Sequence, residues 1–242
     1  SERLHPHLIS LQHPSHTQEI PSSQPSATGF RAGLTPAAVI EAGAALADEV
    51  GFTNLTMGLV AERLGVRTPS LYKHIDSLDA LRRGIAIQAK RELTQAVARA
   101  AVGQFGPDAV RAFADAYRRW ALEHPGRYAA TVRAPAADDE EDRRASNEAV
   151  QVLYDVLAGF KLRDARAVDA ARSLRAAIHG FAALESADGF GLKRDVTRSY
   201  RFLIDTLITG LQADQADQFD RHTSPEDDHD DQSLSTHRYH EL

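Results

Sequence analysis

Residues 56–75, TMGLVAERLGVRTPSLYKHI, decide how the chain folds. Thr56 is a favoured helix N-cap, and behind it Met57 to Leu64 reads as one helix with Leu59, Val60 and Leu64 turned inward. Ala61 is small where a second helix must come close. Gly65 stops the helix, because glycine takes the left-handed conformation without steric cost. Val66 plugs the turn, Arg67 faces water, and Thr68-Pro69 opens a second helix with a hydroxyl cap and a proline at its first position. Leu71 and Ile75, spaced i and i+4, dock this helix on the first and leave Pro69, Ser70, Tyr72, Lys73 and His74 outward. A helix start that presents a hydroxyl, an aromatic ring and a cation suits a phosphate-lined major groove, so the stretch predicts a DNA-reading helix-turn-helix. Two short helices about a glycine also occur in all-helical proteins with no nucleic-acid role, and the flanks must discriminate.

Upstream, Thr35-Pro36 opens an alanine-rich amphipathic helix to about Val50, closed by Gly51 and followed by apolar Phe52. Downstream, Ser77 with Asp79 caps a long helix from Leu78. This order over Leu34 to Ile87, carrying AGAALADEVGFTNLTMGLVAERLGV and TPSLYKHIDSLDAL, resembles the TetR family of bacterial transcriptional regulators. The resemblance implies an operator-facing set of Thr56, Arg67, Thr68, Pro69, Ser70, Tyr72, Lys73 and His74. Arg67 and Ser70 are the candidates for base edges, since a guanidinium binds guanine in a bidentate way and a hydroxyl serves several bases. Tyr72, Lys73, Thr56 and His74 are assigned to phosphates, which fix register without reading sequence. The alternatives are packing on the fourth helix for Tyr72 and a plain surface position for His74. Arg31, ahead of the first helix, is a candidate groove or phosphate contact from an arm. One departure stands out: the family commonly places a lysine directly after the residue that caps the fourth helix, and here that position is Leu78. Arg82 and Arg83, one turn on, either replace that contact in part or lie on a solvated face.

The 242 residues suffice for two modules or one larger helical domain. The expected division is a poorly ordered extension over 1–33, a DNA-binding domain over 34–80, an effector-binding and dimerisation domain over 81–212, and a poorly ordered acidic tail over 213–242. Zero cysteines exclude disulfides and thiolate metal sites. No segment approaches the roughly 20 apolar residues of a membrane span, and no basic region with an apolar core opens the chain, so a soluble, cytoplasmic protein without a membrane role is expected. The net charge of −6 looks wrong for DNA binding until it is located. Residues 213–242 hold nine acidic groups against Arg221 and Arg238, which leaves residues 1–212 with 26 basic and 25 acidic groups. DNA affinity then depends on local charge at Arg63, Arg67, Lys73, Arg82 and Arg83. The two ends are rich in Ser, Pro, His, Gln or Asp without apolar periodicity. Their histidines match no compact metal site, and the acidic tail is expected to compete with DNA for the basic surface.

Between Leu78 and the tail the reading is helical throughout, which gives an all-α fold: a three-helix helix-turn-helix domain followed by a helical ligand-binding and dimerisation domain. Helices are expected from Leu78 to about Val102, from an Asp108 cap to Glu123, from Gly126 to Val132, and from the acidic run Asp138–Asp142 to Phe160, with Val150, Leu153, Tyr154 and Leu157 inward. Two more follow, from Arg163-Asp164 to about Asp188 and from Lys193 to Leu211. YRRWALEHPGRY at 117–128 and LRAAIHGFAALE at 174–185 resemble a TetR effector domain with a tryptophan-histidine-glycine signature. His179-Gly180 and Glu185 fit that signature, whereas Arg175 stands where it has a tryptophan.

The resemblance implies a homodimer through the last two long helices, with Ala176, Ala177, Phe181, Leu184, Phe202, Leu203, Leu207 and Ile208 shared between the interface and the protomer's own core. A dimer also suits a palindromic double-stranded operator, since one short helix contacts too few bases. The effector, a small molecule, is expected among Phe113, Tyr117, Trp120, Tyr128 and His179, although aromatics at helical spacing are more often core and His179 is as well suited to a backbone carbonyl. Its binding would move the helix beginning at Leu78, separate the recognition helices and release a repressor from DNA. Two alternatives stay open: an activator or global regulator without an inducer, and a helical ligand-binding protein that does not bind DNA. Nothing suggests an enzyme or a cofactor: there is no Gly-rich phosphate loop, no metal pair on a core helix, and no nucleophile with its base.

Overall fold

A computed structural model describes residues 33–223, with side chains described to residue 213. The terminal segments, including Arg31 and every terminal histidine except His222, lie outside the described residues. Among the described residues the chain is all-α, with α1 over Pro36–Val50, α2 over Met57–Arg63, α3 over Thr68–Leu71, α4 over Leu78–Ala101 and α5 over Pro107–Glu123. There follow α6 over Pro125–Thr131, α7 over Glu140–Leu157, α8 over Asp164–Ser186 and α9 over Val196–Thr223, with short 3-10 turns at Phe52–Asn54 and Ala158–Phe160.

Local chemistry sets most of these ends. Hydroxyls of Thr35, Thr56 and Ser77 accept from Ala38, Leu59 and Ala80 N–H, at 3.1, 3.2 and 3.0 Å. Several details differ from the sequence reading. α2 is only seven residues, so its inward stripe is Met57, Val60 and Ala61 (i, i+3, i+4), and Leu59 is 36% exposed beside it. Thr68 does not cap α3; the Arg67 carbonyl accepts from Ser70 N–H at 2.8 Å, which makes Arg67 the cap and Thr68 the first helical residue. Likewise Gly106 precedes α5 at φ 55°, Pro107 opens it, and Asp108 sits in the first turn paired with Arg111. α9 begins at Val196 because the Asp195 carboxylate accepts from Thr197 N–H at 2.8 Å. It runs to Thr223, beyond the end expected at Leu211, through an Ala- and Gln-containing stretch with no proline to stop it. α7 buries Val156 as well as Leu153 and Leu157, while Val150 and Tyr154 are half-buried.

Two apolar cores share α4. Val39, Leu46, Leu55, Val60, Leu71 and Ile75 surround Leu81, Ile85 and Ala86 from its first half. Further along, Ala89, Leu93 and Val97 pack with Val110, Phe113, Leu157, Leu174, Ile178, Tyr200 and Ile204 from α5, α7, α8 and α9. The first core also takes in Ala130 of α6, because α6 lies directly on α1. That approach needs Gly126: a Cβ there would fall 2.0 Å from the Ala47 carbonyl oxygen.

Candidate nucleic-acid interface and effector cavity

The turn between α2 and α3 is held by Val66 N–H donating to the Ala61 carbonyl at 3.0 Å, with Gly65 at φ 65°. Leu71 and Ile75 are buried as expected, and they fix which side of α3 faces out. Arg67, Pro69, Lys73 and Tyr72 are exposed, Tyr72 by 50% of its surface, while Thr68, Ser70 and His74 are half-buried beside them. Thr56 is exposed and spends one lone pair on its cap. The expected operator-facing residues therefore lie on one continuous stretch from the start of α2 to the end of α3.

Electrostatics separates cations that sequence alone does not. Among the described residues, Arg67 and Lys73 make no ion pair. Arg63 forms a two-pronged pair with Glu49 of α1. Arg82 donates to the Thr53 carbonyl at 3.3 Å and lies near Asp79. Arg83 donates to both oxygens of Asp139, at 2.5 and 2.7 Å, and to Glu141 at 3.2 Å. The expectation that Arg82 and Arg83 stand in for the missing lysine is corrected accordingly: Arg83 is held by α7 carboxylates and Arg82 by the α1–α2 connection. The hydrogen bond from Arg83 holds the Asp139 carboxyl down to about 2, and the carboxylates in turn raise the Arg83 pKa.

The same seam continues down α4. Lys90 and Asp142, 6% and 4% exposed, pair at 2.5 Å, and Lys90 also donates to Ser146 at 3.1 Å. Arg91 reaches Glu141 at 3.2 Å. Sequence reasoning passed over Lys90; its signal is a lysine on the inward stripe formed by Ile87, Leu93 and Val97. A second unanticipated group is Arg127 on α6. Its backbone N–H donates to Asp48 at 2.8 Å, and its guanidinium meets Glu41, Asp48 and Glu92 at 2.9, 3.1 and 3.0 Å, joining α6 to both α1 and α4.

Next to Arg127, Tyr128 turns the other way. Its hydroxyl bonds His179 Nδ1 of α8 and lies 3.4 Å from the Tyr117 hydroxyl, and Phe113 lies beyond at 6.0 Å from the Tyr117 ring. Tyr128 and His179 line a cavity of about 360 Å³ with Ala121, Pro125, Ala129, Val132, Ala182, Ala183, Ser186 and Ala187. Phe113, Tyr117 and Trp120 do not line it: Phe113 and Trp120 are core, Tyr117 packs against that core, and the Trp120 ring contacts His124 at 5.1 Å. Burial raises the pKa of both tyrosine hydroxyls, so each stays protonated. A wider opening, about 540 Å³, lies between Asp79, Arg83, Arg133 and the acidic first turn of α7. Its walls are charged and Arg83 is already neutralised there, so the smaller apolar cavity is the better candidate for an organic ligand.

An exposed recognition face, set on a helical body that carries an open apolar cavity, defines a DNA-binding transcriptional regulator of the helix-turn-helix class. Residues 39–84 match the family of bacterial regulatory proteins, tetR family, and residues 110–207 match the tetracyclin repressor-like C-terminal domain. The chain belongs to the TetR family. It is 37% identical over 155 residues to an uncharacterised helix-turn-helix-type transcriptional regulator of Mycobacterium tuberculosis, Rv0681, covering 64% of this chain and 71% of that one. It is 31% identical over 183 residues to another such regulator, YobS of Bacillus subtilis, covering 75% and 94%. These relatives are regulators, and the family is not one of enzymes. Among solved structures, a protein of unknown function from Rhodococcus aligns with a TM-score of 0.65 at 22% identity, over 76% of this chain and 99% of that one. A possible TetR family regulator from Streptomyces coelicolor aligns at 0.59 and 20%, over 74% and 98%. A TetR variant of Acinetobacter baumannii, in complex with minocycline, aligns at 0.56 and 23%, over 79% and 99%. No helix among the described residues is long and apolar enough to cross a membrane.

Proposed function

We propose that the protein is a homodimeric repressor that binds a palindromic operator and leaves it when a small molecule enters the cavity beside Tyr128. The observation that carries the DNA half is the coincidence of exposure and free charge: Arg67 and Lys73 are exposed and make no ion pair among the described residues, beside Tyr72, Ser70 and Thr68 on one face. Arg67 and Ser70 read base edges; Thr56, Tyr72, Lys73 and His74 hold phosphates, with Thr68 and Pro69 forming the closely apposed helix start. Residues 34–80 form the reading unit, and 81–212 the sensing and pairing unit.

Dimerisation is supported by apolar surface on α8 and α9. Phe202 is 75% exposed and Leu184 is also exposed, whereas Ile208, on the same pair of helices, is buried in the protomer. Two copies joined there place two recognition helices on one side, as successive major grooves require.

Release is supported by the double attachment of α6. Tyr128 faces the cavity while its neighbour Arg127 grips α1 and α4. A ligand that favours a shifted Tyr128 favours a shifted α6, and the Arg127 carboxylates pass that preference to α1 through Glu41 and Asp48 and to α4 at Glu92, and hence to the reading unit. The histidine-glycine pair at 179–180 supports reading the sensing half as similar to the tryptophan-histidine-glycine subgroup, with Arg175 as this chain's departure.

The test is fluorescence-anisotropy titration of DNA from upstream of the protein's own coding region, wild type against the Tyr72→Ala, Lys73→Ala double variant. Saturable binding much tighter than to random DNA, lost in the variant, is expected. Equal weak binding of every DNA by both proteins would remove the reading.

A further inference from the structure

The polar groups at the cavity form a short chain: the Tyr117 hydroxyl lies 3.4 Å from that of Tyr128, which bonds His179 Nδ1. Burial raises the pKa of both tyrosines, so each keeps its proton. A phenol O–H is a better donor than an imidazole N–H, and a neutral imidazole nitrogen a better acceptor than a phenol oxygen, so Tyr128 donates to His179 Nδ1. A neutral imidazole that accepts at Nδ1 carries its hydrogen on Nε2. His179 Nε2 has no hydrogen-bond partner among the described residues, and His179 is part of the cavity lining. The Tyr128–His179 pair therefore presents one N–H donor.

The rest of the lining is close to chemically silent. Five alanines, Ala121, Ala129, Ala182, Ala183 and Ala187, contribute only methyl groups, Pro125 and Val132 add apolar bulk, and Ser186 is the one further hydroxyl. No Asp, Glu, Lys or Arg lines this cavity. The cavity is open at its rim, where Pro125, Ala129, Val132, Ala183, Ser186 and Ala187 are exposed, so a charged ligand loses part of its hydration and finds no opposite charge, whereas an apolar body gains by covering the methyl wall. At about 360 Å³ the space lies at the small end of the roughly 300–1,000 Å³ that ligand pockets occupy.

Building on the effector reading above, we propose that the cavity binds a compact, uncharged, largely apolar molecule that presents one hydrogen-bond-accepting oxygen, such as a ketone, ester or lactone, to His179 Nε2–H.

The test uses the full chain and a size-matched series: 4-phenyl-2-butanone as the neutral acceptor, 3-phenylpropanoate as the anion, 4-phenylbutan-2-amine as the cation and butylbenzene as the hydrocarbon. Binding is read by saturation-transfer NMR and by fluorescence of Trp120, the single tryptophan, whose neighbour Ala121 lines the cavity. The ketone is expected to bind at least about tenfold tighter than either ion, and roughly fivefold tighter than butylbenzene for the one added hydrogen bond. His179→Phe is expected to erase the preference for ketone over hydrocarbon while keeping hydrocarbon binding. Ala129→Phe, which fills the cavity from α6, abolishes binding of the whole series, with an unchanged circular-dichroism melt as the check on folding. The proposal is overturned if the carboxylate or the ammonium binds as tightly as the ketone. It is equally overturned if wild type does not distinguish ketone from hydrocarbon, or if no neutral member binds up to its solubility limit. Ketone binding that leaves operator affinity unchanged would uphold this ligand class and remove effector release. Operator release that persists in Ala129→Phe would uphold effector release and overturn this cavity assignment.

Discussion

The face of α3 and the seam between α4 and α7 are built from the same kinds of cation and put them to opposite uses. Arg67 and Lys73 stand exposed and without an ion pair among the described residues, whereas Arg83, Lys90 and Arg91 each meet a carboxylate of Asp139, Glu141 or Asp142. A free cation is available to a phosphate; a cation bound to a carboxylate must first give up its partner. Positive charge near a helix-turn-helix is therefore not a measure of DNA affinity. What counts is whether a carboxylate from elsewhere in the fold has reached it first.

The sharpest way to probe the seam is its buried pair. Lys90→Met leaves Asp142 buried without its cation and is expected to cost about 3–5 kcal/mol, while Lys90→Met with Asp142→Leu recovers most of that loss. Urea denaturation followed by circular dichroism decides it, and a double variant as weak as the single would mean that packing, not charge, holds the seam. Gly126→Ala, which forces a Cβ against the Ala47 carbonyl, is expected to cost about 1–3 kcal/mol in the same assay by pushing α6 off α1. On the reading face, Arg67→Ala should lose about 1–3 kcal/mol of base discrimination in each half-site, seen as relaxed specificity when binding sites are selected from random DNA. An unchanged selected sequence would move Arg67 from base reading to phosphate contact.

The smallest effect belongs to the exposed end of the seam. Arg83→Met removes a half-exposed pair worth about 0–1 kcal/mol and should leave operator affinity nearly unchanged. Its signature is pH dependence. The Asp139 carboxyl, lowered by Arg83 to about 2, lies below its unfolded value near 3.9. Its contribution is therefore full above about pH 4 and is lost as pH falls towards 2. Acid unfolding of Arg83→Met should begin at higher pH than that of wild type, and coincident acid transitions would contradict the pair's role.

The helix order was legible because its signals are local. Thr35, Ser77 and Gly51 act on backbone groups within a turn of themselves, so a cap or a stop needs no knowledge of the rest of the chain. Leu71 and Ile75 likewise announced which side of the recognition helix is buried. The seam was not legible, since the partners of Arg83 lie 56 and 58 residues away and nothing local distinguishes it from Lys73. Of the residues expected at the ligand, Tyr128 and His179 line the cavity, whereas Phe113 and Trp120 lie in the core and Tyr117 against it, because an aromatic ring fills a core as readily as it lines a pocket. The alanines that shape the cavity carry no signal in sequence, as their contribution is the volume they leave empty.

Salt dependence measures the contrast between free and paired cations directly. Operator binding is titrated over a salt series for wild type, for Arg67→Ala with Lys73→Ala, and for Arg83→Met with Arg91→Met. Each cation that neutralises a phosphate contributes about 0.9 to the slope of log affinity against log salt. The account predicts a clearly shallower slope and weaker binding for the reading-face variant, and a slope indistinguishable from wild type for the seam variant. A seam variant that flattens the slope as much, or a reading-face variant that leaves both slope and affinity unchanged, would contradict it.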